Sequence, residues 1–238
     1  MGIDMIIPNK EMLKRYRGFT FPLDIILLSI YCKCRFSLSY RDLEELNKIR
    51  GLNVDHSTIN RWVLVFAPLM DLLFRKRKKP VCTSWRMDET YIKINGAWNY
   101  LYRALDKYGY TVDFLLQKHR DGQAAKAFFR KAFRENNVPF IINIDKSGAN
   151  KAALEEFNKE LGAQNAIEIR QSKYLNNIVE QDHRFIKKRI KPMLWLRSYE
   201  GASATIAGIE LVQMIKKGQL QRADENMSTY EQFVSLAA

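Results

Sequence analysis

Three carboxylates stand where a folded chain could bring them together. Asp88 lies inside WRMDETYIKI (85–94), Asp145 ends PFIINID (139–145), and Glu180 sits within YLNNIVEQDHRFIKKR (174–189). Oxygen donors without histidine or cysteine suit a hard cation such as Mg²⁺, which keeps several waters and takes phosphate oxygens as further ligands. Two such ions roughly 4 Å apart activate a nucleophile and stabilise the departing oxygen of an in-line displacement. The residues after Glu180 fit that chemistry. On a helix, positions 180, 184 and 187 fall on nearly one face, so Arg184 and Lys187 would point along the same groove toward a DNA backbone. Each feature also has a plainer use. Asp145 could open the turn IDKSGAN, Glu180 could close a capping pair Asn177-x-x-Glu180, and the basic residues could form a solvated face. Asp88 is harder to explain away, because a carboxylate in a central strand must be paired or bind metal. Its neighbour Glu89 points to the opposite face and is not chosen.

For these acids to meet, the chain must place their elements side by side. Residues 85–94 alternate as a strand, and Asn95-Gly96 is a strong hairpin turn signal. AWNYLYRALD (97–106) alternates again, with Trp98, Tyr100 and Tyr102 on one face, and the turn DKYG leads into TVDFLLQ (111–117). A helix over 121–136 follows, with Ala125, Phe128, Phe129 and Ala132 on one side. Next come a buried strand (139–145), a helix (150–161) with Leu154, Phe157 and Leu161 on one stripe, a short strand (166–172) and the helix that carries Glu180. This β-β-β-α-β-α-β-α order predicts an α/β fold with a mixed sheet, the fourth strand lying beside the first through a right-handed connection. Neighbouring strands about 4.8 Å apart would let Asp88 and Asp145 share a metal.

The first part of the chain reads as helical. Residues 21–34 form one helix. SYRDLEELNKIRG (39–51) forms a second, capped by Ser39, with Leu43 and Leu46 inward and Gly51 as terminator. Asp55 caps a third, in which Ile59, Trp62, Val63 and Phe66 make one buried stripe. Two helices around a glycine-containing turn are either a helix-turn-helix or an ordinary helical hairpin. In the first case His56, Ser57, Asn60 and Arg61 face DNA.

The 238 residues carry 39 basic and 26 acidic side chains, a net charge of +13 that favours a polyanionic partner. The apolar segment FPLDIILLSIY (21–31) is broken by Asp24 and too short to span a bilayer, so no membrane is expected. Cys32, Cys34 and Cys82 are too few and too irregularly spaced for a zinc array, and a reduced cytoplasmic compartment fits them. The expected division is a helical DNA-binding domain over 1–74, a basic linker over 75–81, a catalytic domain over 82–200 and a helical extension over 201–238. Within that extension Ile206, Ile209 and Ile215 read as core in preference to a subunit contact.

Three motifs in order, WRMDETYIKINGAWNYLYRALDKYGYTVDF, INIDKSGANKAAL and KYLNNIVEQDHRFIKKRIKP, resemble the DDE transposases of insertion-sequence family six. LSYRDLEELNKIRGLNVDHSTINRWVLVFAP and ATIAGIELVQMIKKGQL are similar to the same family, and the 34 residues between Asp145 and Glu180 match its spacing. The resemblance implies an RNase H-like five-stranded catalytic core with Asp88, Asp145 and Glu180 as metal-binding triad. It also implies Mg²⁺ (replaceable by Mn²⁺) in two sites, and Lys187 at a position used to contact DNA. Implied further are recognition of terminal inverted repeats, strand cleavage and transfer to target DNA in a cointegrate-forming reaction, a dimeric or larger synaptic complex, and a prokaryotic, nucleoid-associated setting. An RNase H-like nuclease or resolvase, and a non-catalytic helix-turn-helix regulator, are the rival functions.

Overall fold

The computed structural model describes residues 8–146, 148–172, 177–193, 196–224 and 226–238. They divide into two compact units. One comprises the sequence up to Lys79 together with Ile186–Ala238, and the other is Pro80–Phe185.

The second unit is built on a five-stranded sheet. β1 (Ser84–Ile94), β2 (Ala97–Asp106) and β3 (Thr111–Gln117) form an antiparallel meander, and β4 (Ile141–Ile144) and β5 (Glu168–Gln171) run parallel to β1, in the order β3-β2-β1-β4-β5. This is the expected RNase H-like mixed sheet. Asn95 and Gly96 both take positive φ, 46° and 82°, as a tight two-residue turn between right-twisted strands requires. At the second turn the Asp106 carboxylate accepts from the amides of Tyr108 and Tyr110, each at 2.9 Å, and so fixes the bend of DKYG.

Between β3 and β4 the chain forms α5 (Gly122–Asn136), capped by Asp121, which accepts from the Ala124 amide at 2.8 Å. Between β4 and β5 lies α6 (Gly148–Leu161). Trp85, Met87, Tyr102 and Ala104 on one sheet face pack against Phe128 and Phe129 of α5 and Ala153 and Leu154 of α6, making the core of this unit. The opposite face carries Asp88 and, directly across the β1–β2 ladder, Arg103. Both late strands are shorter than expected, four residues each.

The other unit is all helical. It holds α1 (Lys10–Tyr16), α2 (Leu23–Phe36), α3 (Tyr40–Ile49), α4 (His56–Arg75), α8 (Tyr199–Lys216) and α9 (Thr229–Val234), while α7 (Asn177–Ile190) contains the division between units. A capping box between Ser39 and Asp42 starts α3, and Asp55 starts α4 by accepting from the Ser57 amide. Leu43 is buried as expected, but Leu46 is 38% exposed and Asn47 takes the inward place, its amide donating to the Leu43 carbonyl at 2.9 Å.

The apolar 20-residue α4 meets the length and composition of a membrane span, and half of it is buried inside the helical unit. Ile206, Ile209 and Ile215 of α8 are buried too, so that stripe is core. The expected linker behaves differently from a loose tether. Arg75 pairs with Asp71, Lys76 with Glu11, and Lys78 bridges to Leu220. Residues 186–200, expected with the catalytic domain, group with the helical unit.

Candidate active site

The β1–β4 register decides where the acids fall. Arg86 pairs with Asn143, so two residues further along parallel strands Asp88 comes level with Asp145. The place is where the strand order turns from the antiparallel to the parallel half of the sheet, just beyond the carboxyl end of β4, a usual location for sites in α/β sheets. Asp88, Asp145 and Glu89 each offer a carboxylate oxygen, and these oxygens lie within 4.8 Å of one another. Opposed ligands on one Mg²⁺ are about 4.2 Å apart, so a small adjustment would let the group hold a hard divalent ion. The donor set, all oxygen and all carboxylate, fits the metal that the sequence implies.

Glu89 is the residue that strand alternation set aside. It does point to the other face, where its Oε1 accepts from the Asn150 amide of α6 at 2.8 Å. Its longer side chain nonetheless keeps a carboxylate oxygen within reach of the pair. Burial raises its carboxyl pKa, while the Asn150 hydrogen bond and the nearby Arg120 act to lower it. Arg120, in the connection from β3 to α5, brings its guanidinium to Glu89 and Asp145. Nothing in KHRDG beyond a basic residue before a helix cap could have signalled this.

Glu180, in the first turn of α7, is exposed and is not part of the three-carboxylate group among the described residues. The Asn177 side chain, on which the capping alternative rests, lies outside the described residues, as does Ser147 after Asp145. α7 meets the sheet through other side chains. Val179 and His183, one turn apart, are buried, and His183 Nε2 stands 3.4 Å from Asp88 Oδ2. Asp182 pairs with the fully buried Arg103. His183 lies three positions after Glu180, so helical spacing could have found it. Arg184 and Lys187 are both exposed.

In the helical unit His56, Ser57 and Asn60 line a cleft of about 530 Å³ together with Arg41 and Arg197. His56 and Ser57 are already engaged there. Glu44 Oε2 receives the His56 backbone amide at 3.1 Å and lies 2.8 Å from its Nδ1, and the Ser57 hydroxyl donates to Asp55. Glu44, whose pKa is lowered chiefly by its bond from Lys48 and then by His56, thus ties the start of α4 to α3. Arg61 is exposed, its guanidinium 5.5 Å from the centre of the Phe19 ring.

Residues 82–219 match a protein-family model described as a DDE domain. The transposase for the insertion sequence-like element IS431mec of Staphylococcus aureus is 39% identical over 203 residues, covering 85% of this chain and 88% of its own length. The S. aureus transposase for insertion sequence element IS257 in transposon Tn4003 shows the same identity and coverage. Among solved structures, the HTLV-2 integrase catalytic core domain in complex with magnesium is 16% identical, with a TM-score of 0.45, covering 66% of this chain and 99% of that one.

Proposed function

The chain belongs to insertion-sequence family six of the DDE transposases, and from that premise we propose that it cuts DNA at the ends of its own insertion sequence and joins the freed 3′-hydroxyl to a target phosphodiester. Asp88, Asp145 and Glu180 are assigned as the carboxylates that hold Mg²⁺, in two sites, with Mn²⁺ able to substitute. The observation that carries this assignment is the β1–β4 register, which brings Asp88 and Asp145 into one group of oxygen donors. A divalent ion bound there supplies Lewis acidity to the phosphodiester oxygens and makes an attacking hydroxyl easier to deprotonate.

The chain's own groups do the rest. Asp88 and Asp145, set by adjacent strands, keep their oxygens in place before substrate arrives, which lowers the reorganisation needed in the transition state. Glu180 stands on the helix that His183 and Asp182 seat on the sheet, so it approaches Asp88 by a movement of α7 or of its own side chain. Arg184 and Lys187, on exposed turns of the same helix, neutralise backbone phosphates and hold the strand in register without reading its sequence. His56, Ser57, Asn60 and Arg61, at the start of α4, are assigned to the terminal inverted repeats. His56 and Ser57 give part of their hydrogen-bonding capacity to Glu44 and Asp55, which leaves Asn60 and Arg61 as the principal base-reading side chains. Cutting two ends and joining them to one target requires a homodimer or larger synaptic complex, acting replicatively on DNA in the prokaryotic cytoplasm.

Labelled insertion-sequence ends, a target plasmid and Mg²⁺ test the proposal. Joined product is expected. Cleavage without joining would point to a nuclease, and binding alone to a regulator. Glu180→Gln should abolish both chemical steps and leave end binding within about twofold, since recognition of the ends is assigned to α4 and not to the metal-holding carboxylates. Joining that persists in this variant removes Glu180 from the site.

A further inference from the structure

A cation already rests on the carboxylates. The Arg120 guanidinium spans three partners: Nη1 donates to the Tyr91 hydroxyl at 3.2 Å, and Nη2 lies 3.3 Å from Glu89 Oε2 and 3.4 Å from Asp145 Oδ2. The partners are unequal. The Glu89 side chain is only 2% exposed and is braced by Asn150, whereas Asp145 is 36% exposed. Giving up Asp145 therefore returns a carboxylate to water or metal at little cost. Giving up Glu89 would strand a buried acid without its cation.

A divalent ion on Asp145 would stand a few ångströms from this guanidinium, and the two cations would repel. The exchange has only one cheap direction, in which Arg120 leaves Asp145 and stays with Glu89 and Tyr91. The N–H thus released remains beside the metal-binding acids, where a phosphodiester places its non-bridging oxygens. A planar guanidinium suits that partner.

Building on the assignment of Asp145 to a divalent ion, we propose that Arg120 binds the reacting phosphodiester. It is parked across Asp145 in the metal-free protein and freed when metal arrives, with Glu89 serving as its anchor and not as a metal ligand. Arg120 would thereby offset the mutual repulsion of the acids in the absence of metal, and would couple metal loading to phosphate capture.

The test uses the full chain and Mn²⁺ alone, followed by calorimetry, with thermal midpoints recorded for every variant. Arg120→Ala should bind Mn²⁺ about three- to fivefold tighter than wild type, the worth of one partly exposed ion pair removed from competition. The double variant Arg120→Ala/Glu89→Gln should bind Mn²⁺ at least as tightly as wild type. Single-turnover cleavage of a labelled end at saturating Mn²⁺ should fall about 100-fold or more in Arg120→Ala, as for loss of one preorganised donor. Arg120→Lys should recover part of that loss, since it restores the charge without the planar fork. Mn²⁺ affinity unchanged or weakened in Arg120→Ala at an unaltered midpoint overturns the parked-cation proposal. Loss of Mn²⁺ binding in the double variant overturns the anchor role and makes Glu89 a ligand. Asp145→Asn separates the two layers. If it still binds Mn²⁺ like wild type, the site assignment beneath the proposal fails. If it loses Mn²⁺ while Arg120→Ala gains nothing, only the role of Arg120 falls.

Discussion

Asp182→Asn isolates what seats α7 on the sheet. The Arg103 side chain is 0% exposed and that of its partner Asp182 13%. Removing one member of a buried pair costs about 3–5 kcal/mol, because the remaining charge loses the interaction that offset its desolvation. The slight exposure of Asp182 sets the expected loss at the lower end, about 3 kcal/mol. For a chain of this length, that lowers the thermal midpoint by about 6–12 °C. Circular dichroism melts of the variant measure the shift, and an end-cleavage assay run well below the midpoint asks whether a loosened α7 also costs activity. Replacing both partners, Arg103→Met with Asp182→Leu, should recover most of the midpoint, since apolar groups of similar volume carry no desolvation cost. A midpoint unmoved in Asp182→Asn, or a double variant as unstable as the single one, would refute the view that this pair seats the helix.

Two further outcomes can be checked in the helical unit. A Cβ at Gly208 of α8 would overlap Cys34 Sγ and press on Ala67, so Gly208→Ala should cost about 1–3 kcal/mol in urea unfolding, and adding Cys34→Ala should relieve part of it. Lys33 is buried against Leu38 and Tyr40, and burial takes its pKa down to about 8 from an ordinary 10.5. Below about pH 8 the folded state bears the full cost of the buried charge. Between about 8 and 10.5 the unfolded chain holds the extra proton, so stability rises with pH. Lys33→Met should remove that rise, and parallel denaturation curves for the two proteins across this range would contradict it.

How far the residues foretold this molecule depends on the range of the interaction involved. Ser39, Asp55 and Asp121 cap the helices they precede, and Asn95-Gly96 makes its turn, because each acts on backbone within four residues. Asp88 and Asp145 were legible as neighbours for a topological reason: a right-handed crossover leaves few places for the fourth strand. Glu89 was set aside by a rule about Cβ direction that says nothing of how far a glutamate reaches. Arg120 gave no periodic signal, since it belongs to a loop and its partners lie on two strands far away in sequence. Leu46 fits an inward helical position, yet Asn47 took the buried place, where its amide donates to the Leu43 carbonyl and the Ser29 hydroxyl. The basic run 75–79 looked like a tether in composition, and its ion pairs and the bridge to Leu220 depend on residues at both ends of the chain.

That the helical unit draws its core from both ends of the polypeptide bears on the order in which the protein matures. α4 emerges from the ribosome well before α8, so the apolar face that α8 covers stays bare until the intervening sheet unit has been read. A product halted inside the sheet would carry the sequence His56–Arg61 without the scaffold that holds it steady. On the role proposed for α4, incomplete copies would be poor at occupying DNA ends, and only molecules that have made α8 would compete for them.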